Sequence, residues 1–400
     1  MDASAAPDIA ALRALAERRL PRFVFDYLEG GAGSGRGRAR NQAMLEAITL
    51  LPRVLADVAQ VETATTLFGQ ALAAPILVAP TGVAGLVRPG ADLMLARAAA
   101  ASGLPFILSA ASNMPVEQVT ASGGPVWMQI YPLRDAQAAG RLAARARAAG
   151  CVGLVLTLDT PVAGIRHWDA QHFHASGRPR LRTRLDALRH PRWLAATLRH
   201  GAPRFPNIDL DMPPAARTSR AERAAINNGK DPSFTAESLA RFRDAWPGRL
   251  IVKGLLAPED VALVARLGAD AAVLSNHGGR QLDDAAAPVE MLLPCRDAAG
   301  TMTLLLDGGI REGGSIAKVL AMGAAGVLVG RAPLYGIAAG GEAGAARALA
   351  ILVRELRGVM ALLGCTDPAA LAAQHVRLPP GFADATSPGR PPSPISAAPR

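Results

Sequence analysis

A repeated alternation of short apolar runs with alanine- and arginine-rich segments is the feature that most constrains the fold of this chain. Eight such runs end in small or polar residues: Ile76–Ala79, Phe106–Ser109, Val126–Tyr131, Val152–Asp159, Leu250–Gly254, Ala271–Asn276, Thr303–Asp307 and Gly326–Gly330. Helical periodicity occupies the segments between them, as in Gly90–Ala101, Asp135–Ala149, Pro258–Leu267 and Gly314–Met322. Neighbouring parallel strands need a crossover helix, and eight such units close a sheet on itself. The sequence therefore predicts an α/β protein, a (β/α)₈ TIM barrel.

The spacing of the runs is regular except for one insertion after the fourth run, at about 160–249. Loops that follow barrel strands build the active-site face, so we expect a lid or an attachment surface there. Residues 378–400 are rich in proline, serine and alanine, which predicts a flexible tail. We therefore expect one barrel domain over 1–377, with an N-terminal helical extension before the first strand.

Composition excludes several classes of protein. A chain of 400 residues that is 50% hydrophobic and 19% charged can bury a large core, so it is not disordered. The three cysteines are too few and too scattered for a disulfide framework or a thiolate metal site, and we expect no metal and a reducing compartment. The net charge of +10 comes from arginines spread along the chain without interleaved aromatic residues, so we expect no nucleic-acid partner.

Two segments bear on the location of the protein. The N-terminus lacks the basic and apolar regions of a secretory signal, so we expect a cytoplasmic protein. Thr63–Val87 has no charged residue and could span a bilayer by length, but its prolines, glycines and threonines favour a buried strand with its turns.

Polar residues follow the predicted strands directly, where a barrel places its active site. Asp307-Gly308-Gly309-Ile310-Arg311 and Gly330-Arg331 follow the last two strands. Paired glycines let backbone N–H groups approach a phosphate, the following helix N-terminus adds positive potential, and the arginines can pair with the dianion. These two strand ends therefore predict a phosphate site.

The segment Ser275–Asp283 carries the strongest chemical signal. His277 leaves a strand, two glycines free space around it, and Arg280 can fix an anion close by. This pattern is typical of a general base beside a bound carboxylate. Asp159, at the end of the fourth run, can orient the imidazole and stabilise its protonated form.

Taken together, these residues resemble the FMN-dependent (S)-2-hydroxy-acid dehydrogenase and oxidase family, and most closely its bacterial (S)-mandelate dehydrogenases. The resemblance runs from about Pro21 to about Thr366. It implies that Tyr27, Arg166 and Arg280 bind the substrate carboxylate and that Tyr131 lies near the alcohol oxygen. His277 is then the base, which removes either the α-proton or the hydroxyl proton.

The resemblance also implies a bound FMN and assigns residues to it. Lys253 would face the flavin N1 and O2, where a cation stabilises the negative charge that reduction leaves on the ring. The other predicted cofactor residues, together with the strand-end residue Asp307, are Pro80, Thr81, Gly82, Ser109, Gln129, Thr157, Ser275, Gly308, Gly309, Arg311, Gly330 and Arg331.

Two departures from the family pattern narrow the expected reaction. Ala111 stands where glycolate oxidases have a tryptophan, which leaves room for a larger substituent and favours (S)-mandelate or a related aryl substrate. Gly82 resembles the dehydrogenase branch, in which a quinone or another acceptor replaces oxygen. L-lactate or a medium-chain hydroxy acid is the alternative substrate, because pocket volume also depends on the insertion.

Other functions explain fewer residues. An oxidase is disfavoured by Gly82, and a flavin-binding sensor without turnover would have lost His277, Arg280 or Lys253. A phosphate-binding isomerase on the same fold would leave the tyrosines and the carboxylate-binding arginines unused.

The insertion predicts a peripheral membrane contact. Residues 178–204 hold eight arginines against one acidic residue, Asp186, with leucines, Trp193 and Phe205 interleaved. Such a stretch can lie on an anionic bilayer. Its amino-acid sequence is similar to that of the insertion that attaches the bacterial mandelate dehydrogenases to membranes. We expect contact through 178–205 with the inner face of the cytoplasmic membrane; the resemblance further implies a homotetramer.

Overall fold

The structure, a computed structural model, describes residues 2–174, 178–208, 218–380 and 382. Three helices form the N-terminal extension: α1 Ile9–Arg19, α2 Arg22–Glu29 and α3 Arg36–Ala47. A short strand, β1 Thr49–Leu50, and a hairpin of β2 Thr65–Leu67 and β3 Gln70–Leu72 follow them. Leu67 and Leu72 of the hairpin pack on the apolar residues that fill the barrel interior.

Eight parallel strands close a barrel, so the predicted (β/α)₈ fold is confirmed. They are β4 Ile76–Val78, β5 Phe106–Ser109, β6 Val126–Ile130, β7 Leu154–Thr157, β8 Leu250–Leu255, β9 Ala271–Leu274, β10 Thr303–Asp307 and β11 Gly326–Val329. Seven lie within one of the eight apolar runs, and β8 extends one residue beyond its run, to Leu255. Strands that are buried on both faces read as continuous apolar sequence, which is why the runs are visible without an alternating pattern.

Helices surround the barrel between and after the strands. They are α4 Ala91–Ala101, α5 Val116–Thr120, α6 Ala136–Ala148, α12 Pro258–Arg266, α13 Leu292–Ala299, α14 Gly313–Ala321 and α15 Arg331–Leu362. The four helices predicted from periodicity match α4, α6, α12 and α14 within one residue at each end.

Within the described ranges, α15 alone is long and apolar enough to cross a membrane by length and composition. Of its most apolar window, 61% is buried, and Gly341 breaks the helical conformation inside it with a φ of 64°. The helix packs on α1, α4 and α14, as a core helix does. Thr63–Val87, by contrast, forms the hairpin and strand β4.

The insertion after β7 is helical. It contains α7 His167–His172, α8 Leu181–Leu188, α9 Pro191–His200, α10 Ser219–Asn228 and α11 Ala236–Ala245. Polar contacts join the insertion to α2. His172 Nε2 lies 2.7 Å from a carboxylate oxygen of Asp26, and the Arg22 amide donates to the Asp186 carboxylate at 2.6 Å. The insertion is thereby held against the same helix that carries Tyr27.

The chain stays packed on the barrel as far as residue 377. Strand β12, Val376–Arg377, pairs antiparallel with β1. Of the predicted flexible tail, 378–400, all residues except 378–380 and 382 lie outside the described part. The flexibility of the tail therefore stays a prediction.

Candidate active site

A cavity of about 330 Å³ opens at the carboxyl ends of the barrel strands. Most of the predicted site residues line it: Tyr27, Pro80, Thr81, Gly82, Ala111, Tyr131, Arg166, Lys253, His277, Arg280, Asp307, Gly308, Gly309, Arg311, Gly330 and Arg331. The other five, Ser109, Gln129, Thr157, Asp159 and Ser275, lie at or just after the ends of their strands. The fold therefore brings the whole predicted set to one end of the barrel.

His277 and Asp159 form the pair expected of a base and its orienting carboxylate. The Nδ1 atom of His277 lies 3.0 and 3.2 Å from the two carboxylate oxygens of Asp159. Burial lowers the pKa of His277 below its ordinary value, while Asp159 pulls it upward. The imidazole is therefore held neutral near pH 7, with Nδ1 occupied and Nε2 free to take a proton.

The backbone at His277 and the two glycines after it adopts the left-handed conformation. His277 has a φ of 57°, and Gly278 and Gly279 continue the left-handed conformation with φ of 65° and 74°. A non-glycine residue in this region carries backbone strain of about 1 kcal/mol or more, and such strain concentrates at functional sites. The Ser275 hydroxyl accepts the His277 amide at 3.0 Å and fixes the turn.

Gly254 lets the Asp159 segment approach the neighbouring strand. Its φ is +102°, and a Cβ there would lie 2.6 Å from the Asp159 Cβ. Any larger residue at 254 would push the carboxylate away from His277.

Lys253 is a buried cation at the end of β8. Its Nζ donates to the Ser275 hydroxyl at 2.7 Å and lies 3.0 Å from a carboxylate oxygen of Asp307. Burial opposes the charge, yet Asp307 and Asp159 raise the pKa of Lys253 above its ordinary value. The ammonium is therefore permanently charged, as stabilisation of a negative flavin ring requires.

Three residues converge on the predicted position of the substrate carboxylate. Arg280 lies over the Tyr27 ring, 5.2 Å from its centroid, and donates to the Gly30 carbonyl at 2.7 Å. Arg166 follows the insertion's first loop, and its buried Nε has no partner in the structure. Burial lowers the pKa of Arg280 to about 10, and repulsion by Arg166 adds to this effect. A bound anion would give Arg166 Nε a partner and would stabilise the charge of Arg280.

Tyr131 lies in the same cavity as His277 and is buried strongly enough that its pKa rises well above the ordinary value. It therefore stays a neutral hydrogen-bond donor or acceptor at any physiological pH. The Tyr27 hydroxyl donates to the Gly82 carbonyl at 2.8 Å. The third tyrosine, Tyr335, instead bonds to Glu29.

Orphaned polar atoms test whether a flavin fits this end of the barrel. The Thr81 hydroxyl, the Gln129 side-chain nitrogen and the Thr157 hydroxyl are buried without a hydrogen-bond partner. They belong to the ends of strands β4, β6 and β7, and buried polar atoms in native proteins are normally satisfied. The heteroatoms of a flavin ring would satisfy them, so the residues present fit FMN.

The phosphate end of the cavity lies after β10 and β11. Gly308 and Gly309 both have positive φ, 97° and 87°, which points successive amides into a concave turn. Arg331 donates to the carbonyls of Leu28, Gly30 and Gly278, and burial lowers its pKa to about 9. Its position is thereby fixed, and a bound dianion would stabilise the positive charge that burial disfavours.

The two helices that follow these strand ends differ at their N-termini. The Gly313 amide at the start of α14 donates to the Glu355 carboxylate at 3.0 Å. The helix that begins at the cavity is α15, whose first residue is Arg331.

Apart from the predicted Arg166, the insertion adds residues to the cavity that the sequence did not indicate as site residues. They are Thr160, Ala163, Gly164, Trp168, Asp169, Phe205, Ile226, Asn227 and Lys230. Their positions depend on how the insertion folds back over the barrel, and no local motif marks them. One signal was available for Lys230, since the chain has only three lysines. Among the described residues, no group of three or more histidine, cysteine or acidic side chains could hold a metal ion.

Comparisons with known proteins agree with this geometry. The family model described as FMN-dependent dehydrogenase matches residues 16–378, and the chain belongs to this family. It is accordingly an FMN-dependent α-hydroxy-acid dehydrogenase. The L-lactate dehydrogenase of Caulobacter vibrioides is 43% identical over 90% of this chain and 94% of its own length. The (S)-mandelate dehydrogenase of Pseudomonas putida is 39% identical over 91% and 92%.

Solved structures show the same relation. A crystal structure of the monotopic membrane protein (S)-mandelate dehydrogenase matches with a TM-score of 0.88 and 37% identity, over 93% of this chain and 99% of that one. A mandelate oxidase matches with a TM-score of 0.74 and 33% identity, over 93% and 98%.

Proposed function

We propose that the protein oxidises an (S)-2-hydroxy acid with an aryl substituent, such as (S)-mandelate, to the 2-oxo acid. The observation that carries this proposal is the apolar wall of the cavity. Val83, Phe205 and Ile226 form a buried cluster against which Ala111 and Tyr27 pack, and all five line the cavity. A flat apolar ring gains most from such a wall, since burial of apolar area stabilises binding.

The roles that we propose for the site residues are those that the family resemblance implies, and their positions in the cavity support them. Arg280, Arg166 and Tyr27 bind the carboxylate, while Tyr131 bonds to the alcohol oxygen. His277 takes a proton at Nε2, from either Cα or the hydroxyl group, and Asp159 stabilises the resulting imidazolium. FMN, when bound, accepts the two electrons that the substrate loses. The Lys253 ammonium would stabilise the negative charge that reduction leaves on the flavin ring.

The test is anaerobic bleaching of the purified, flavin-loaded protein by (S)-mandelate and L-lactate in separate experiments. We expect faster bleaching by mandelate. The variant Ala111→Leu places a larger side chain in the space beside the apolar wall. It should slow bleaching by mandelate at least about tenfold more than bleaching by lactate. Ala224→Leu, on the exposed side of α10, is the control and should change neither rate. Bleaching that is faster with lactate would overturn the aryl proposal.

L-lactate is the second candidate substrate, and a medium-chain 2-hydroxy acid belongs with it. The relative at 43% identity bears the name L-lactate dehydrogenase, against 39% for the mandelate dehydrogenase. The same bleaching experiment separates the candidates.

We also propose that reduced flavin passes its electrons to a quinone or another acceptor that is not oxygen. Gly82 supports this, because at this position the chain resembles the dehydrogenase branch of the family and not the oxidases. Admitting air after bleaching tests the proposal. Slow return of the yellow colour is expected, and a return within seconds would identify an oxidase.

The insertion supports a peripheral membrane contact through 178–205, at the inner face of the cytoplasmic membrane. Leu181, Leu185, Leu188 and Leu198 of α8 and α9 are between 52% and 74% exposed. Two aromatic residues of this stretch do not belong to the exposed surface. The Trp193 indole donates to the Leu86 carbonyl at 2.9 Å, and Phe205 is buried, because both pack on the barrel.

Sedimentation with anionic vesicles tests this contact. The double variant Leu185→Gln and Leu188→Gln should lose vesicle binding, because it removes apolar area from the exposed face. Leu282→Gln, equally exposed but outside the insertion, should bind as the unaltered protein does. Binding that survives the double variant would remove 178–205 as the contact.

A further inference from the structure

Lys230 is a cation of the cavity that the chemistry proposed above does not use. It lies just after α10, and its backbone forms a bridge with Leu133, two residues beyond Tyr131. Its Nζ lies 4.3 Å from the centroid of the Tyr131 ring. Among the described residues its ammonium forms no ion pair, and it lies over the face of the Tyr131 ring.

The charged groups around Lys230 do not neutralise the positive charge of its ammonium. Arg166 repels the ammonium, and Asp159 attracts it, but both oxygens of Asp159 face His277 Nδ1. Burial, with the repulsion by Arg166, lowers the pKa of Lys230 to about 8. An ammonium that is half-buried without an anion gains from any anionic ligand that reaches it.

The α-carboxylate of the substrate does not require Lys230. Arg280, Arg166 and Tyr27 already converge on that group from α2, the insertion's first loop and the loop after β9. Lys230 enters the cavity from elsewhere, on the part of the insertion that also supplies Ile226 and Asn227. Ile226 belongs to the apolar wall, and Lys230 lies four residues further along the chain, just after α10 ends, so a positive charge follows the wall.

We propose that Lys230 is a specificity-determining residue that binds a carboxylate at the far end of the substrate's substituent. The preferred substrates are then 2-hydroxy dicarboxylic acids, in which an aryl or short alkyl segment lies on the wall of Val83, Phe205 and Ile226. This inference rests on the proposed oxidation of 2-hydroxy acids and adds a second negative charge to the substrate class.

Matched substrate pairs test the proposal on the flavin-loaded protein. The first pair is 4-carboxymandelate and its neutral analogue, 4-carbamoylmandelate; the second is 2-hydroxyglutarate and the amide of its distal carboxylate. The members of each pair have nearly the same shape, and the amide replaces the charged carboxylate with a neutral group that keeps one acceptor oxygen. A charge-assisted hydrogen bond to Lys230 should give the diacid of at least one pair about a tenfold to hundredfold higher kcat/KM than its amide.

Variants assign the preference to the ammonium. Lys230→Met keeps the length and removes the charge, so the diacid should fall to the level of its amide while the amide changes less than about twofold. Lys230→Arg keeps the charge and should retain the preference. Arg134→Met removes a cation just outside the cavity and is the matched control, for which the ratio should not change.

The pH dependence of the unaltered protein gives a test that needs no variant. Lys230 is charged below its pKa of about 8, so the diacid preference should be full near pH 6.5 and decline above pH 8. Both members of a pair depend equally on His277, Asp159 and Tyr131, so their titration cancels in the ratio.

Three results would overturn the proposal. They are equal kcat/KM within both pairs, an equal loss for diacid and amide in Lys230→Met, and a preference that does not change with pH. The second result would mean that Lys230 acts only by holding Tyr131. If (S)-mandelate bleaches the flavin and no diacid does so faster than its amide, this inference fails and the proposed function stands. If no 2-hydroxy acid bleaches it, the proposed function itself fails.

Discussion

Replacing Asp159 with asparagine removes the negative charge beside His277 and little else. The carboxylate oxygens lie 3.0 and 3.2 Å from Nδ1, and the two side chains are only 11% and 24% exposed. Loss of one partner from a buried charged pair costs about 3 to 4 kcal/mol. Because the charge on His277 forms during the reaction, this cost adds to the barrier and should slow flavin reduction about 10² to 10³ fold.

The assay is the anaerobic bleaching rate at saturating substrate, followed by the pH profile of kcat/KM. Asp159 raises the pKa of His277, so its removal should move the acid limb of that profile to lower pH. Asp231→Asn, a substitution outside the cavity, is the matched control and should keep the normal rate. A fall of less than about threefold in Asp159→Asn, or an acid limb that does not move, would refute the orienting role.

Three further outcomes are expected. Lys253→Met should slow flavin reduction about a hundredfold and lower the midpoint potential in a redox titration, and an unchanged potential would remove Lys253 from the flavin ring. Burial raises the pKa of Asp92 to about 6, above its unfolded value, so the folded protein loses up to about 3 kcal/mol as pH rises from about 4 through 6. Asp92→Asn should therefore raise Tm at pH 8 and not at pH 4, and an equal change at both pH values in calorimetry would contradict this. Sedimentation of the purified protein should give the mass of a homotetramer; a monomer would contradict the family-based expectation.

The barrel could be predicted from the sequence because its strands are buried on both faces. Val155, Ile251 and Leu305 point into the barrel, while Leu154, Leu250 and Leu304 pack against the surrounding helices. Most residues of such a strand are apolar, so each strand stands out as a run. Polar residues at or just after the end of a run, such as Lys253 and His277, could therefore be expected at one end of the barrel, where both line the cavity.

Apart from Arg166, the part of the site that the insertion supplies could not be predicted. Phe205, Ile226 and Lys230 are distant in sequence from the strand ends and reach the cavity only through helix packing. Packing also decides the environment of Trp193, whose indole N–H donates to the Leu86 carbonyl.

Helix α2 connects the cavity with the insertion. Tyr27 stands on one side of the helix, in the cavity, while Asp26 and the Arg22 amide contact His172 and Asp186 of the insertion. A displacement of α8 would therefore reach the helix that carries Tyr27. Removal of 178–205, even when made only to improve solubility, should change the contacts of α2 and with them the affinity for substrate.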